Sequence, residues 1–325
     1  MKDKLIRLLV CIAFAKAILS CQPSNSVEAE IAAIPVDVEL IPFHKIFAEA
    51  EVEDLEQLKK DYPVFISTRV PDSVWMAKMT GKDSIQNILE AAVQNAEFDY
   101  TAIESEVEDV MKHVKYYFPD FQSTDIYTVI SEVNYRQQII PTKDQLIISI
   151  DTYLGKDHEL YQGISNYQRN QLNREQLPAD VAMEYARLFV PPTMDRTFLG
   201  SMVYFGKIHY LQSLFVPEAA GYHIFDYPPA KFDYTVENES QMWRYFIDKE
   251  MLYDTDSRLI PRFIAPAPFS KFYLEIDQQT PGGVGRYMGY RIVESFMQNN
   301  PVDLETMISL DAESLFNKSK YKPLQ

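Results

Sequence analysis

Leu146-Ile147-Ile148-Ser149-Ile150-Asp151-Thr152-Tyr153-Leu154 is the stretch on which the fold turns. Its first half is almost unbroken aliphatic and shows no polar alternation, so residues 146–154 are expected to form a strand covered on both faces. Upstream, 124–133 is rich in Ile, Val, Thr and Tyr and reads as a second strand, with a third, short one near 137–140. Everything further out has helical spacing. Residues 43–60 place Ile46, Phe47, Ala50 and Leu55 near one stripe, and Pro63 stops them. In 84–95, Ile85, Ile88, Leu89, Ala92 and Val93 follow the pattern of one helix face. Thr101 with Glu104 resembles a capping box before the stripe Ile103, Val107, Val110, Met111, Val114 and Tyr117.

Downstream, Pro178 opens a helix through Phe189, and Thr193 caps a longer one to about Leu214. Thr235 caps another, carrying Trp243, Phe246 and Ile247. Pro281-Gly282-Gly283 precedes a helix over 284–298, and a last helix is expected over 303–316. Gly285 and Gly289 lie four apart on the former, leaving a bare strip for close approach. The expected fold is α+β: a mostly helical single domain with a small sheet.

The two cysteines, Cys11 and Cys21, both lie in the first 21 residues. Lys2, Lys4 and Arg7 make a basic start, and Leu8 to Ala15 is an apolar core too short to span a membrane. Ile18-Leu19-Ser20-Cys21 closes it as a bacterial lipoprotein signal closes. The division expected is a signal peptide over 1–20, a lipidated Cys21 with a flexible tether over 21–33, and one domain over 34–325. At ~0.8 kcal/mol per buried CH₂, two or three acyl groups anchor a protein for good. The mature protein then has no thiol, disulfide or cysteine metal ligand.

The full sequence has a net charge of −16; since residues 1–20 hold a surplus of three positive charges, the mature form is at −19. Nucleic acid and anionic lipid surfaces repel such a protein. Aromatic residues make up 13 %, including 21 tyrosines, which suits a glycan- or protein-binding surface as well as an ordinary half-buried core. Their spread along the sequence weighs against a sugar site.

A search for chemistry finds little. The five histidines, His44, His113, His158, His209 and His223, form no His-x-x-x-His pair, and His158-Glu159-Leu160-Tyr161-Gln162 has glutamine where a second ligand would stand. There is no Gly-x-Ser-x-Gly elbow. Pro281-Gly282-Gly283-Val284-Gly285 has the form of an anion cradle but lacks the P-loop lysine, so backbone packing is its expected role. No cofactor and no metal site is expected.

Five motifs in register carry a family resemblance. They are Asp151-Thr152-Tyr153-Leu154-Gly155-Lys156-Asp157-His158, Met202-Val203-Tyr204-Phe205-Gly206-Lys207, Ala267-Pro268-Phe269-Ser270-Lys271, Pro281 to Gly289, and Asn317-Lys318-Ser319-Lys320-Tyr321-Lys322-Pro323. Together with the lipoprotein signal they resemble the GldB family, gliding-motility lipoproteins of Bacteroidetes. The resemblance implies a role in gliding and the linked type IX secretion machinery, with protein partners there and GldC as a small partner by family association. Surface-exported lipoproteins of such bacteria tend to carry a charged run after the cysteine. Gln22-Pro23-Ser24-Asn25-Ser26 carries none, so the periplasmic face is expected, on the outer membrane rather than the inner.

The order of elements is also similar to zinc proteases of the gluzincin type, whose His-Glu-x-x-His helix precedes a helix bearing Glu-Gly. Met183-Glu184-Tyr185-Ala186-Arg187 and Phe205-Gly206 fall at those places. On that resemblance Met183 and Arg187 replace the histidines, Phe205 replaces the glutamate ligand, and only the general base Glu184 survives. The implied domain is a degenerate, zincin-like one without enzymatic activity, which acts as a scaffold or accessory factor. A glycan-binding envelope lipoprotein and a divergent metalloprotease are the alternatives. Asp151, Lys156, Lys207 and His209 are candidate partner contacts, and Gly155, Gly206, Gly285, Gly289 and Tyr321 are motif positions expected to serve contact or fold.

Overall fold

The computed structural model describes residues 24–323. The lipidation site Cys21 and the signal segment lie outside the described residues. The described part of the expected tether is a helix, α1 (Ser24–Ala32). It lies against the long helix over 100–117, with Ile31 only 2 % exposed and Glu28 Oε2 3.3 Å from His113 Nε2. A buried aliphatic residue and a polar partner give this segment a reason to order that its polar start concealed.

A four-stranded sheet anchors the N-terminal half. β1 (Leu40–Ile41) and β4 (Leu146–Ser149) run parallel to β2 (Ile126–Val129) on either side, and β3 (Ile139–Pro141) pairs antiparallel with β4, giving the order β1-β2-β4-β3. All four residues of β4 are buried, as its unbroken apolar run requires. The strands are shorter than expected. Asp151 faces the turn at 131–133 rather than a neighbouring strand, and Ile150–Thr152 coils into a 3₁₀ turn.

Five helices surround this sheet on the N-terminal side: α2 (Phe43–Glu49), α3 (Leu55–Asp61), α4 (Asp72–Met79), α5 (Ser84–Asn95) and α6 (Tyr100–Tyr117). The single helix expected over 43–60 is broken at Ala50 and Glu51, both extended, where Glu51 and Asp54 form a reciprocal cap for the following turn. Phe43, Phe47, Leu55, Leu58 and Ile66 make a small separate core against Tyr127 and Val129 of β2. The N-cap of α6 is Asp99, which accepts from Ala102 N at 3.0 Å. Glu104 instead accepts from Leu40 N at 2.7 Å, tying α6 to β1. On α5 the expected stripe is only half used: Leu89 and Val93 are buried, but Ile85 and Ile88 are 58 % and 53 % exposed.

The C-terminal half is helical. It comprises α7 (Leu177–Phe189), α8 (Phe198–Phe215), α9 (Pro229–Glu237), α10 (Glu239–Asp248), α11 (Val284–Asn299), α12 (Leu304–Ser309) and α13 (Ala312–Ser319). Pro178 opens α7 as expected, whereas α8 is capped by Thr197, whose Oγ1 accepts from Gly200 N at 2.9 Å, and not by Thr193. Thr235 lies inside α9 and α10 starts behind Asn238, so the cap expected at Thr235 is displaced. The expected last helix is two, because Leu310 is extended and Asp311 starts a new cap. One main core spans both halves, from Ile126 and Ile148 of the sheet to Phe198, Met202, Met288 and Val293. The protein is a single α+β domain.

Candidate functional site

The motif segments converge where α7, α8 and the start of α11 meet. Ser270 joins two of them. It is fully buried; its backbone N–H and its hydroxyl both donate to the Pro281 carbonyl at 2.8 Å, and its Oγ accepts from Val284 N at 3.1 Å. The 267–271 segment is thus the cap of α11, satisfying an N–H the helix start leaves open. A Cβ on Gly282 would stand 2.0 Å from the Ala267 carbonyl oxygen. The close approach at Gly282 gives this turn the backbone-packing role expected of it.

A second close approach sets the site itself. α8 and α11 cross at Gly206 and Gly289, where an added Cβ would lie 2.3 Å from the Gly289 carbonyl and 1.8 Å from the Met202 carbonyl oxygen respectively. Gly285 is confined likewise, by Ile264 and Phe263. This crossing lays the Arg286 guanidinium over the Phe205 ring, 4.3 Å from its centroid. Arg286 Nε donates to the Ile264 carbonyl at 2.7 Å, and burial pushes the guanidinium down to about 10.

Buried acids face this cation. Tyr153, from the first motif, donates its hydroxyl to Asp180 Oδ2 at 2.9 Å. Gln176 Nε2 donates to Asp226 Oδ1 at 2.9 Å and to the His223 carbonyl at 2.8 Å, with Asp180 Oδ1 at 3.2 Å. Burial pushes Asp180 well above the usual carboxylate range; it pushes Asp226 up to about 7, against the downward pull of Arg286 and Arg187. Glu184 is also raised by burial, opposed by Arg187, whose Nε lies 3.0 Å from its Oε1. The acids of this cluster hold less negative charge at neutral pH than their number implies.

The four positions of the protease resemblance do come together here, but not as a metal site. Met183 is buried in the main core, Glu184 is paired with Arg187, and Phe205 lies beneath Arg286. A thioether is a poor zinc ligand, a phenyl ring is none, and a guanidinium repels the ion. Among the described residues no group of three or more His, Cys, Asp or Glu is placed to hold a metal. The residues present do not fit zinc.

Three of the four candidate contacts point inward. Asp151 is wholly buried; its Oδ1 accepts from Ser131 N at 3.0 Å and its Oδ2 from Val133 N at 2.6 Å. It holds a turn in which Glu132 and Val133 have φ of 58° and 57°, a conformation unfavourable for a β-branched residue. Lys207 is 7 % exposed and donates to the carbonyls of Ile308 at 2.8 Å and Leu310 at 2.6 Å, closing the end of α12, while burial lowers its ammonium to about 8. His209 is 1 % exposed, with Nδ1 2.9 Å from Gln212 Oε1, and burial lowers it to about 3. Only Lys156 is exposed. Gly155 takes φ +101° beside it, with open space where a Cβ would be, so its role is conformational. Tyr321 is bound inward, donating to Glu239 Oε1 at 2.8 Å.

The inward position of Asp151 makes a direct prediction. Asp151→Asn must set an amide donor against either the Ser131 or the Val133 N–H. It is expected to lower stability by about 1–3 kcal/mol, read as a fall in urea midpoint at unchanged slope.

Sequence reasoning missed Asp180, Asp226, Tyr227, Glu239 and the prominence of Arg286. For Arg286 a signal was present. A cation in the first turn of a helix opposes the helix dipole, and such a placement calls for a reason. The buried acids sit among ordinary helix and loop residues and give no local sign.

No curated protein matches this sequence, and no solved structure does. A family profile described as gliding motility protein GldB matches residues 24–323, which takes in all five motifs and every residue of the site. The chain belongs to the family of gliding motility protein GldB, which makes it a gliding-motility lipoprotein of the cell envelope.

Proposed function

We propose that this lipoprotein serves gliding as a non-catalytic component that faces the periplasm, anchored through acyl groups on Cys21, and works by contact with other proteins of the gliding and type IX secretion apparatus. The observation that carries the reading is the state of the suspected catalytic positions. The one surviving acid, Glu184, is paired with Arg187, and the ring of Phe205 fills the space under Arg286. A general base needs an activated water to act upon, and these neighbours provide no ligand for the metal that would activate it. No helix among the described residues is long and apolar enough to cross a membrane. GldC is a candidate partner on family association alone.

The test is complementation. Glu184→Gln, expressed in a strain deleted for the gene, is expected to restore cell spreading on agar to the wild-type extent, and protein purified without chelators is expected to carry no stoichiometric zinc. One equivalent of zinc in the unmodified protein, together with loss of spreading in the Glu184→Gln strain, would overturn the non-catalytic reading.

A further inference from the structure

We propose that the cavity in front of Arg286 is a binding site for a single carboxylate carried on an apolar body. The cavity has a volume of about 410 Å³ and opens between the 166–171 segment, the 225–231 segment and the turn before α11. Its apolar wall is Tyr167, Pro266, Pro268 and Phe269; its charged and hydroxyl groups include Arg286, Lys231, Tyr227 and one acid, Asp226.

Arg286 is preorganised for this task. Its Nε is held by the Ile264 carbonyl and its face rests on Phe205, so the guanidinium plane is fixed. Among the described residues its Nη groups make no hydrogen bond to the protein; the nearest acid acting on it is Asp226, which lines the same cavity and interacts with it electrostatically without a direct ion pair. A partly buried guanidinium whose only acid neighbour is itself held on Gln176 has its planar fork of N–H donors open to the cavity, and that fork matches a carboxylate. Tyr227 adds a second unmet group. Its hydroxyl is closed from solvent, has no hydrogen-bond partner, and lies near enough to Arg286 for the two to act on each other electrostatically. A carboxylate oxygen on Arg286 would give that hydroxyl an acceptor. Lys231 donates to the carbonyls of Pro268 and Thr280, both at 2.8 Å, which leaves one N–H of its ammonium for the cavity.

The charge balance selects the ligand class. Arg286 and Lys231 are the cationic groups of the cavity, and its one acid, Asp226, is held on Gln176 with its ionisation opposed by burial. Locally the field favours an anion. The full sequence carries −16, a strongly negative balance that disfavours a multiply charged anion such as a phosphate ester. One negative charge on an apolar frame satisfies both conditions, and the aromatic and proline wall accommodates the frame. Such a site is independent of whether the protein has an enzymatic activity.

The test uses the full-length lipidated protein in detergent and isothermal titration calorimetry. The probes are acetyl-Ala-Ala-Phe with a free carboxylate, the same peptide as its amide, 3-phenylpropionate and inorganic phosphate, each up to about 5 mM. At least one free carboxylate is expected to bind about tenfold or more tightly than the amide, and phosphate is expected not to compete. Arg286→Gln is expected to weaken that binding by about tenfold or more, and Tyr227→Phe by about 3–10-fold. Preference for the peptide would assign the site to the C-terminus of a polypeptide, and preference for 3-phenylpropionate to a small free acid. No binding by either carboxylate, equal binding of acid and amide, competition by phosphate, or full affinity in a folded Arg286→Gln would each overturn the proposal. The acid–amide comparison on the unmodified protein and the Tyr227→Phe variant decide it should Arg286→Gln fail to fold.

Discussion

Glu239→Ala is expected to be among the most destabilising single substitutions in the protein, lowering unfolding free energy by about 3–5 kcal/mol. Glu239 is wholly buried at the start of α10. Its Oε2 accepts from the Tyr287 hydroxyl at 2.7 Å and lies 3.0 Å from Arg291 Nε, both on α11, while its Oε1 accepts from the Tyr321 hydroxyl at 2.8 Å beyond α13. Three elements thus share one carboxylate. Truncation leaves two phenol hydroxyls and the Nε of Arg291 without their acceptor, although Arg291 keeps its pairing with Glu294, and the removal of one member of a buried network weakens the rest. Glu239→Gln keeps the shape and one carbonyl acceptor, so it is expected to fall between wild type and alanine. The measurement is chemical denaturation monitored at Trp243, which packs on Tyr321 with ring centroids 5.0 Å apart. An alanine variant within about 1 kcal/mol of wild type would mean that the network contributes little beyond solvation of its parts.

The legible parts of this fold are those that follow from local pattern. β4 and α6 are where their periodicity puts them, because a continuous aliphatic run and an i, i+3, i+4 stripe each have one way to be buried. Element ends were less legible. Thr101 and Glu104 match a capping box in sequence, yet Asp99 takes the cap and Glu104 is drawn to Leu40, 64 residues away. The site was legible only in outline. Its motifs mark Phe205, Gly206 and Arg286, but the acids that give it its electrostatics, Asp180 and Asp226, lie 46 positions apart and are brought together through Gln176. The inward turn of Asp151, Lys207 and His209 was also unreadable, since polar side chains in a recurrent motif look alike whether they hold a partner or a backbone carbonyl.

Gly289→Ala is expected to have an effect of similar size through geometry alone. The added Cβ would stand 1.8 Å from the Met202 carbonyl oxygen, a backbone atom with no rotamer by which to yield, so α8 and α11 must move apart along a core contact. Overpacking of this kind costs about 1–3 kcal/mol where side chains can shift and more where backbone meets backbone, so a loss above ~3 kcal/mol and a melting temperature at least ~5 °C lower are expected. Gly163→Ala is the control. It has φ +95° but open space around its Cβ, so it reports the strain of a left-handed backbone alone, about 1–2 kcal/mol. The two substitutions must differ if helix approach, and not glycine's conformational freedom, is what Gly289 supplies. The same displacement reaches the cavity. Arg286 lies one turn before Gly289, and Phe205 directly precedes Gly206, so a separation of the two helices lifts the guanidinium from the ring that orients it. Gly289→Ala is therefore expected to weaken the carboxylate probe at temperatures where the variant is still folded, while Gly163→Ala leaves its affinity unchanged. Equal stability loss in the two variants would show that the close crossing of α8 and α11 does not set the position of Arg286.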